Sequence, residues 1–226
     1  MIVRKQYATA MGPMSEELKA IKEGAKAVQE ASKAGKAMVD ATSNVGTWIA
    51  NILGTAPADL VGLMFGDYLR ELRIRNMDRI RRRTEEILDA RGVEKPKQIG
   101  PKLALPAFEA ASEETDEVLQ DLWARLLANA MDPNRDIHLQ RILVDTLKQF
   151  EPIDALVFES VSSLGQRQCN AEGIVQARSG RSRPSFIQVS LDRLEKLDCI
   201  GRSPRERFYK LKALGEELRY AISGSG

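Results

Sequence analysis

His138 is the only histidine in this chain of 226 residues. Histidine is the side chain that most readily moves protons near neutral pH. Here it stands in Asp136-Ile137-His138-Leu139 with no Ser or Cys motif beside it, and it reads as a residue on the polar face of a helix. The acidic run Glu113, Glu114, Asp116 and Glu117 could attract a cation, but no His or second carboxylate cluster follows at ligand spacing. At a helix start the same charges stabilise the positive end of the dipole. Gly35-Lys36 has the ending of a phosphate-binding loop, yet position 30 is Glu30 where that loop needs glycine, and no strand precedes it. Cys169 and Cys199 have neither metal nor redox spacing. They suit a reducing compartment, as small hydrophobes. No catalytic, cofactor-binding or metal site emerges, and no cofactor is expected. The chain is predicted to work by binding and self-association, not as an enzyme.

The residues left to carry function are basic or apolar. Lys and Arg number 34 and Asp and Glu 32, a net charge of +2, so any basic surface is local. Arg70, Arg73, Arg75, Arg79, Arg81, Arg82 and Arg83 crowd one helix. Three readings compete for it: a solvated face paired with Glu71, Asp78, Glu85 and Glu86; an anionic membrane surface; or nucleic-acid phosphates. Directly before it, residues 45–68 form an apolar, glycine-bearing stretch without a basic residue. Asn51, Pro57 and Asp59 in its middle argue against a spanning helix. On the membrane reading, Trp48, Leu60, Leu63 and Phe65 insert while Arg79, Arg81, Arg82 and Arg83 hold lipid phosphates. Trp48 serves equally as core. The same stretch could instead be buried in the N-terminal bundle or in a homo-oligomer. A second basic cluster, Arg202, Arg205, Arg207 and Lys210, offers nucleic-acid contacts, but the helix before it mixes Asp192, Glu195 and Asp198 with Arg193 and Lys196. Nucleic acid therefore ranks behind a protein partner.

The elements that must position these residues are mostly helical. Ser15 to Asp40 reads as a first helix, with Leu18, Ile21, Ala25 and Val28 at three- and four-residue steps and a face of Ala, Gly and Ser that another helix could approach closely. Two short apolar helices, Thr47–Gly54 and Ala58–Gly66, should follow, with Gly62 and Gly66 as a weak helix-contact pair. The arginine helix runs to about Ala90, where Gly92 stops it. Residues 93–106, holding Pro96, Pro101 and Pro106, read as an extended linker between an N-terminal region, 1–92, and a C-terminal domain, 107–222. In that domain Ser112 should cap a helix that ends at Asp132-Pro133, with Trp123 packed among its leucines. A helix over Ile137–Phe150 follows, then one begun by Pro152 and stopped by Gly165. Residues 166–184 read as loop, with at most a short strand at Gly173–Gln176. Helix Ser185–Lys196, strand Cys199–Arg202, strand Phe208–Leu211 and helix Ala213–Ile222 complete a winged-helix-like unit.

The stretch FEAASEETDEVLQDLWARLLANAMDP, followed by LKQFEPIDALVF and then LDRLEKLDCIGRS and FYKLKALGEEL, resembles the abortive-infection alpha family of bacterial proteins. Leu122-Trp123-Ala124, Leu126-Leu127-Ala128 and Pro152-Ile153-Asp154-Ala155 are the most specific pieces. The likeness covers Leu105 to Tyr220, and the apolar segment joined to a basic helix shares the family's character. It implies a cytosolic bacterial protein with a role in antiviral defence, and it brings no assigned catalytic residue. The MIVRKQYATAMG opening has no apolar signal core, so a cytoplasmic protein is expected, with a peripheral place at the inner membrane as the alternative.

Overall fold

A computed structural model describes residues 12–54, 69–163, 183–202 and 209–224. Its contacts divide the chain into two units, residues 1–43 and 44–226.

The first unit consists, where described, of the larger part of helix α1, Gly12–Leu53. Expectation placed a break between Asp40 and Thr47, and there is none. The run Ala41-Thr42-Ser43-Asn44-Val45-Gly46 contains no proline, and Thr42 Oγ1 donates to Met38 O at 2.8 Å within the helix. One interior glycine costs only about 1 kcal/mol. Described side chains from Lys19 to Ala37 are exposed, and Val39 is 68% exposed. The expected helix Ala58–Gly66, with Leu60, Leu63 and Phe65, lies outside the described residues.

The second unit holds the core. Val45, Trp48, Ile49, Ile52 and Leu53, at the end of α1, are buried. Helix α2, Arg70–Ala90, buries Ile74, Met77, Ile80 and Leu88 along one stripe and stops before Gly92 at φ +69°, as its sequence predicts. Residues 93–100 are pinned: Ile99 N donates to Ile52 O at 3.1 Å and Lys97 N to Met131 O at 2.7 Å.

Three expected boundaries move here. Helix α3, Pro101–Glu113, occupies part of the predicted extended linker. Pro101 takes a first-turn position, where a missing N–H costs nothing. Pro106 gives up one hydrogen bond near the helix start, while Ala104, Ala107 and Phe108 bury the inner face. Ser112 belongs to this helix and donates to Glu109 O at 2.8 Å. The cap of α4, Glu117–Met131, is Asp116, which accepts from Val118 N at 2.9 Å and Leu119 N at 3.2 Å. Finally, the helix expected over Ile137–Phe150 shrinks to α5, Arg141–Leu147. Ile137 and Leu139 are buried while His138 and Gln140 are exposed. That alternation of two belongs to extended chain.

Helix α6, Pro152–Ser163, opens on its proline as predicted. The stop at Gly165, Cys169 and the strand at Gly173–Gln176 fall outside the described residues. Helix α7, Pro184–Lys196, strands β1, Ile200–Arg202, and β2, Tyr209–Leu211, and helix α8, Ala213–Ala221, follow the predicted order. The strands pair antiparallel, Ile200 with Leu211 and Arg202 with Tyr209. Helix α2 packs on α3 and α4, α4 on α6 and α8, and α6 on α7 and β2.

Candidate functional site

The arginines of α2 come first, because the sequence made them the candidates for lipid or nucleic-acid phosphate. The structure gives Arg73, Arg75, Arg79, Arg81, Arg82 and Arg83 each a carboxylate. Arg79 pairs with Glu117 at 2.5 Å. Arg81 pairs with Asp78 at 2.9 Å and Glu85 at 2.5 Å. Arg82 meets Asp78 at 2.6 Å. Arg83 meets Asp121 at 2.7 Å and Glu86 at 3.1 Å. Arg73 reaches Glu113 at 2.8 Å. The bond to Asp121 raises the Arg83 pKa, with Glu86 adding to it. Burial raises that of Glu85, against the pull of Arg81. Some partners lie on α2, as the solvated-face reading predicts. Others, Glu113, Glu117 and Asp121, come from the acidic run and from α4. That run thus has a second role beside its dipole. A groove of about 330 Å³ between α2 and α4 is lined by Arg79, Arg82 and Arg83, and equally by Glu86, Glu117 and Asp121. Its charges balance.

Trp48 is 6% exposed, with its ring centroid 5.6 Å from that of Phe108. Packed there, it offers no face to a lipid surface. Among the described residues no helix is long and apolar enough to cross a membrane. Nor do any described His, Cys, Asp or Glu gather in threes that could hold a metal ion. His138 is exposed, with Asp136 its neighbour at 3.6 Å.

The second candidate region is the C-terminal helix–hairpin–helix. Helix α7 is anchored on α6 through Asp154, whose carboxylate is fully buried. Arg193 Nη1 donates to Asp154 Oδ2 at 2.7 Å, and Arg193 Nη2 meets Glu151 at 2.9 Å. Its bond to Glu151, aided by Asp154, raises the arginine's pKa despite partial burial. Arg193 is thereby spent on the fold and is not a free cation of a recognition surface. Asp198 takes positive φ (+60°) at the turn into β1 and holds Lys212 Nζ at 2.7 Å, which raises the lysine's pKa. Gly215 passes so close to β1 that a Cβ would stand 1.9 Å from Cys199 O. The Cys199 thiol beneath is pushed up to about 12 by burial, with Asp198 and Asp154 adding to the shift.

Of the four hairpin cations, Arg205 and Arg207 lie outside the described residues. Arg202 and Lys210 are exposed. Arg202 is opposite Tyr209 and Lys210 opposite Gly201. Directly paired residues share a face and neighbours along a strand alternate, so these two cations occupy opposite faces of the ribbon.

Two features escaped the sequence reading. On α7, Phe186 and Val189 are 50% and 53% exposed, while Ile187, Leu191 and Leu194 are buried. Arg183 lies over the Phe186 ring, 4.5 Å from its centroid. The signal was available: both sit off the stripe that Ile187, Leu191 and Leu194 define. The other is Asn129, which is fully buried. Its Nδ2 donates to Ala221 O at 2.6 Å and Ser223 O at 3.1 Å. Its Oδ1 accepts from Arg91 at 2.7 Å and Arg135 at 3.1 Å. This network ties the end of α8 to α4, and nothing local in the sequence marks it.

Together these features define a mostly helical protein that ends in a small two-stranded antiparallel hairpin. Residues 73–223 match the family described as abortive infection alpha, and the chain belongs to that family. The match begins inside α2, earlier than the predicted Leu105, and so takes in the arginine helix and its partners. No curated protein and no solved structure matches the chain.

Proposed function

We propose that this protein serves abortive-infection defence against phage by holding a protein partner through the outer face of α7, without catalysing a reaction. The observation that carries this reading is the exposure of Phe186 and Val189 together on one short helix. Two large apolar side chains in water cost free energy that a partner's apolar surface recovers. Aromatic anchors beside an arginine are typical of the energetic centre of protein interfaces. The buried, protonated thiol of Cys199 and the exposed His138 support a binding role over nucleophilic or acid–base chemistry.

The membrane reading draws its support from the sequence of residues 55–68. The burial of Trp48 and the carboxylates around Arg79, Arg81, Arg82 and Arg83 weigh against the rest of it. The nucleic-acid reading keeps Arg202, Arg205, Arg207 and Lys210, but two of these point from opposite faces. A phage-challenge assay separates the three. Phe186→Ser with Val189→Ser should abolish protection while leaving the thermal melt unchanged, since both side chains are exposed. Arg202→Ala with Lys210→Ala should leave protection intact, as should Phe65→Asp. Protection that survives the double serine change sinks the partner reading. Loss with the cation pair or with Phe65→Asp would transfer the function to nucleic acid or to a membrane, respectively.

A further inference from the structure

We infer that the first unit is a dimerisation helix: α1 pairs in parallel with α1 of a second copy of this chain. The inference goes beyond the α7 partner reading and rests on different residues. Leu18, Ile21, Ala25, Val28, Ser32, Gly35, Val39 and Thr42 follow alternating three- and four-residue steps along one uninterrupted helix. That is the a and d spacing of a coiled coil, held for more than three heptads. From Ser32 to Val39, where this stripe is described, it is uncovered, and Thr42 beyond it is half-buried. Ser32 and Gly35 are exposed, a Cβ on Gly35 would meet nothing within 4 Å, and Val39 is 68% exposed. Thr42 has already satisfied its hydroxyl inside the helix, so it can enter an apolar seam without an orphaned polar group.

Charge selects both the occupant and the orientation. From Glu16 to Asp40 there are five lysines (19, 22, 26, 33, 36) and five carboxylates (16, 17, 23, 30, 40), so two copies do not repel each other overall. In this register the e positions are Lys22, Gln29 and Lys36, and the g positions are Glu17, Gly24, Ala31 and Met38. A parallel pair sets each g against the following e of its partner. Glu17 then meets Lys22, Gly24 meets Gln29 and Ala31 meets Lys36, with no like charges opposed. An antiparallel pair sets e against e and brings Lys22 of one copy toward Lys36 of the other. The small residues Gly24, Ala25, Ala31, Ser32 and Gly35 allow close approach only if the facing helix is equally small there, a condition that a symmetric copy meets by construction.

The test uses the full chain. Sedimentation equilibrium should return twice the 25.1 kDa of one chain. Val39→Glu, which puts like charges face to face at an a position, should weaken that dimer by about tenfold or more. Because Val39 is exposed within one chain, this variant should still fold with the wild-type helical circular dichroism, while its melt loses the concentration dependence that a dimer confers. In a Cys169→Ser background, Gly35→Cys should cross-link to itself on mild oxidation, as only a parallel register allows, while Ala34→Cys on the outer face should not. A monomer throughout the micromolar range overturns the inference. So does a dimer indifferent to Val39→Glu, or equal cross-linking at positions 34 and 35. None of these outcomes bears on the phage-challenge result with Phe186 and Val189.

Discussion

Helix α4 and the first unit of α1 are both alanine-bearing helices with apolar residues at three- and four-residue steps, yet they end in opposite environments. In α4, Leu119, Leu122, Trp123, Leu126 and Leu127 are almost wholly buried. In α1, the described side chains from Lys19 to Ala37 face solvent. The difference lies in side-chain volume. Burying a leucine or a larger side chain recovers about 1.5–3 kcal/mol, which draws three other helices around α4. Alanine, serine and glycine recover little, and a face made of them has no claim on the protein's own core. Periodicity sets which face turns inward, and bulk decides whether anything comes to meet it.

That comparison breaks most sharply at Trp123. Trp123→Ala should cost about 3–5 kcal/mol in urea unfolding, whereas Ala34→Lys on α1 should stay within about 0.5 kcal/mol. Similar costs at the two positions would refute the account. Gly215→Ala probes a different kind of packing. With β1 backbone in the space its methyl needs, it should cost about 1–3 kcal/mol and speed amide exchange at Ile200 and Leu211 before it affects α4. Unchanged exchange there would mean that α8 can shift away freely. The smallest effect is on pH dependence. The Cys199 thiol titrates at about 12 in the folded protein against an ordinary value of 9.0. The folded state therefore keeps a proton that the unfolded state releases between these values, and the contribution is complete below pH 9 and is lost as pH rises toward 12. Cys199→Ala should flatten that alkaline decline, and native Cys199 should resist alkylation at pH 8.5 until the protein is unfolded. Rapid native alkylation would contradict the burial.

Much of the fold was legible where a single residue type dictates backbone geometry. Gly92 ends α2, Pro152 begins α6, and the spacing of Cys199 to Ile222 contains the hairpin and its flanking helices. The misreadings share one cause. Pro106 and Ser112 carry strong local preferences, for extended chain and for a cap, and both were overridden because Ala104, Ala107 and Phe108 form a face that is buried in the core. Ile137 and Leu139 fit either a helical stripe or an extended alternation. The buried side of residues 137–140 selected the latter. Of the candidate site, the arginine helix is visible as a charge run, and its pairing with Glu71, Asp78, Glu85 and Glu86 follows from their spacing on the same helix. Its long-range pairing does not, since Glu113, Glu117 and Asp121 stand about forty positions from the arginines they meet. Phe186 and Val189 had the right spacing to be noticed, but an apolar residue on a helix is ordinarily assigned inward.

By itself the sequence determined the helical class, the C-terminal hairpin and the family, because these follow from residue types and from spacings of a few positions. Only the tertiary structure decided that Trp48 belongs to the core, that Arg73, Arg79 and Arg83 of α2 are answered by carboxylates from α3 and α4, and that Phe186 and Val189 stay outside. Each of those outcomes depends on what a distant segment brings to within a few ångströms, and short-range periodicity carries no record of it.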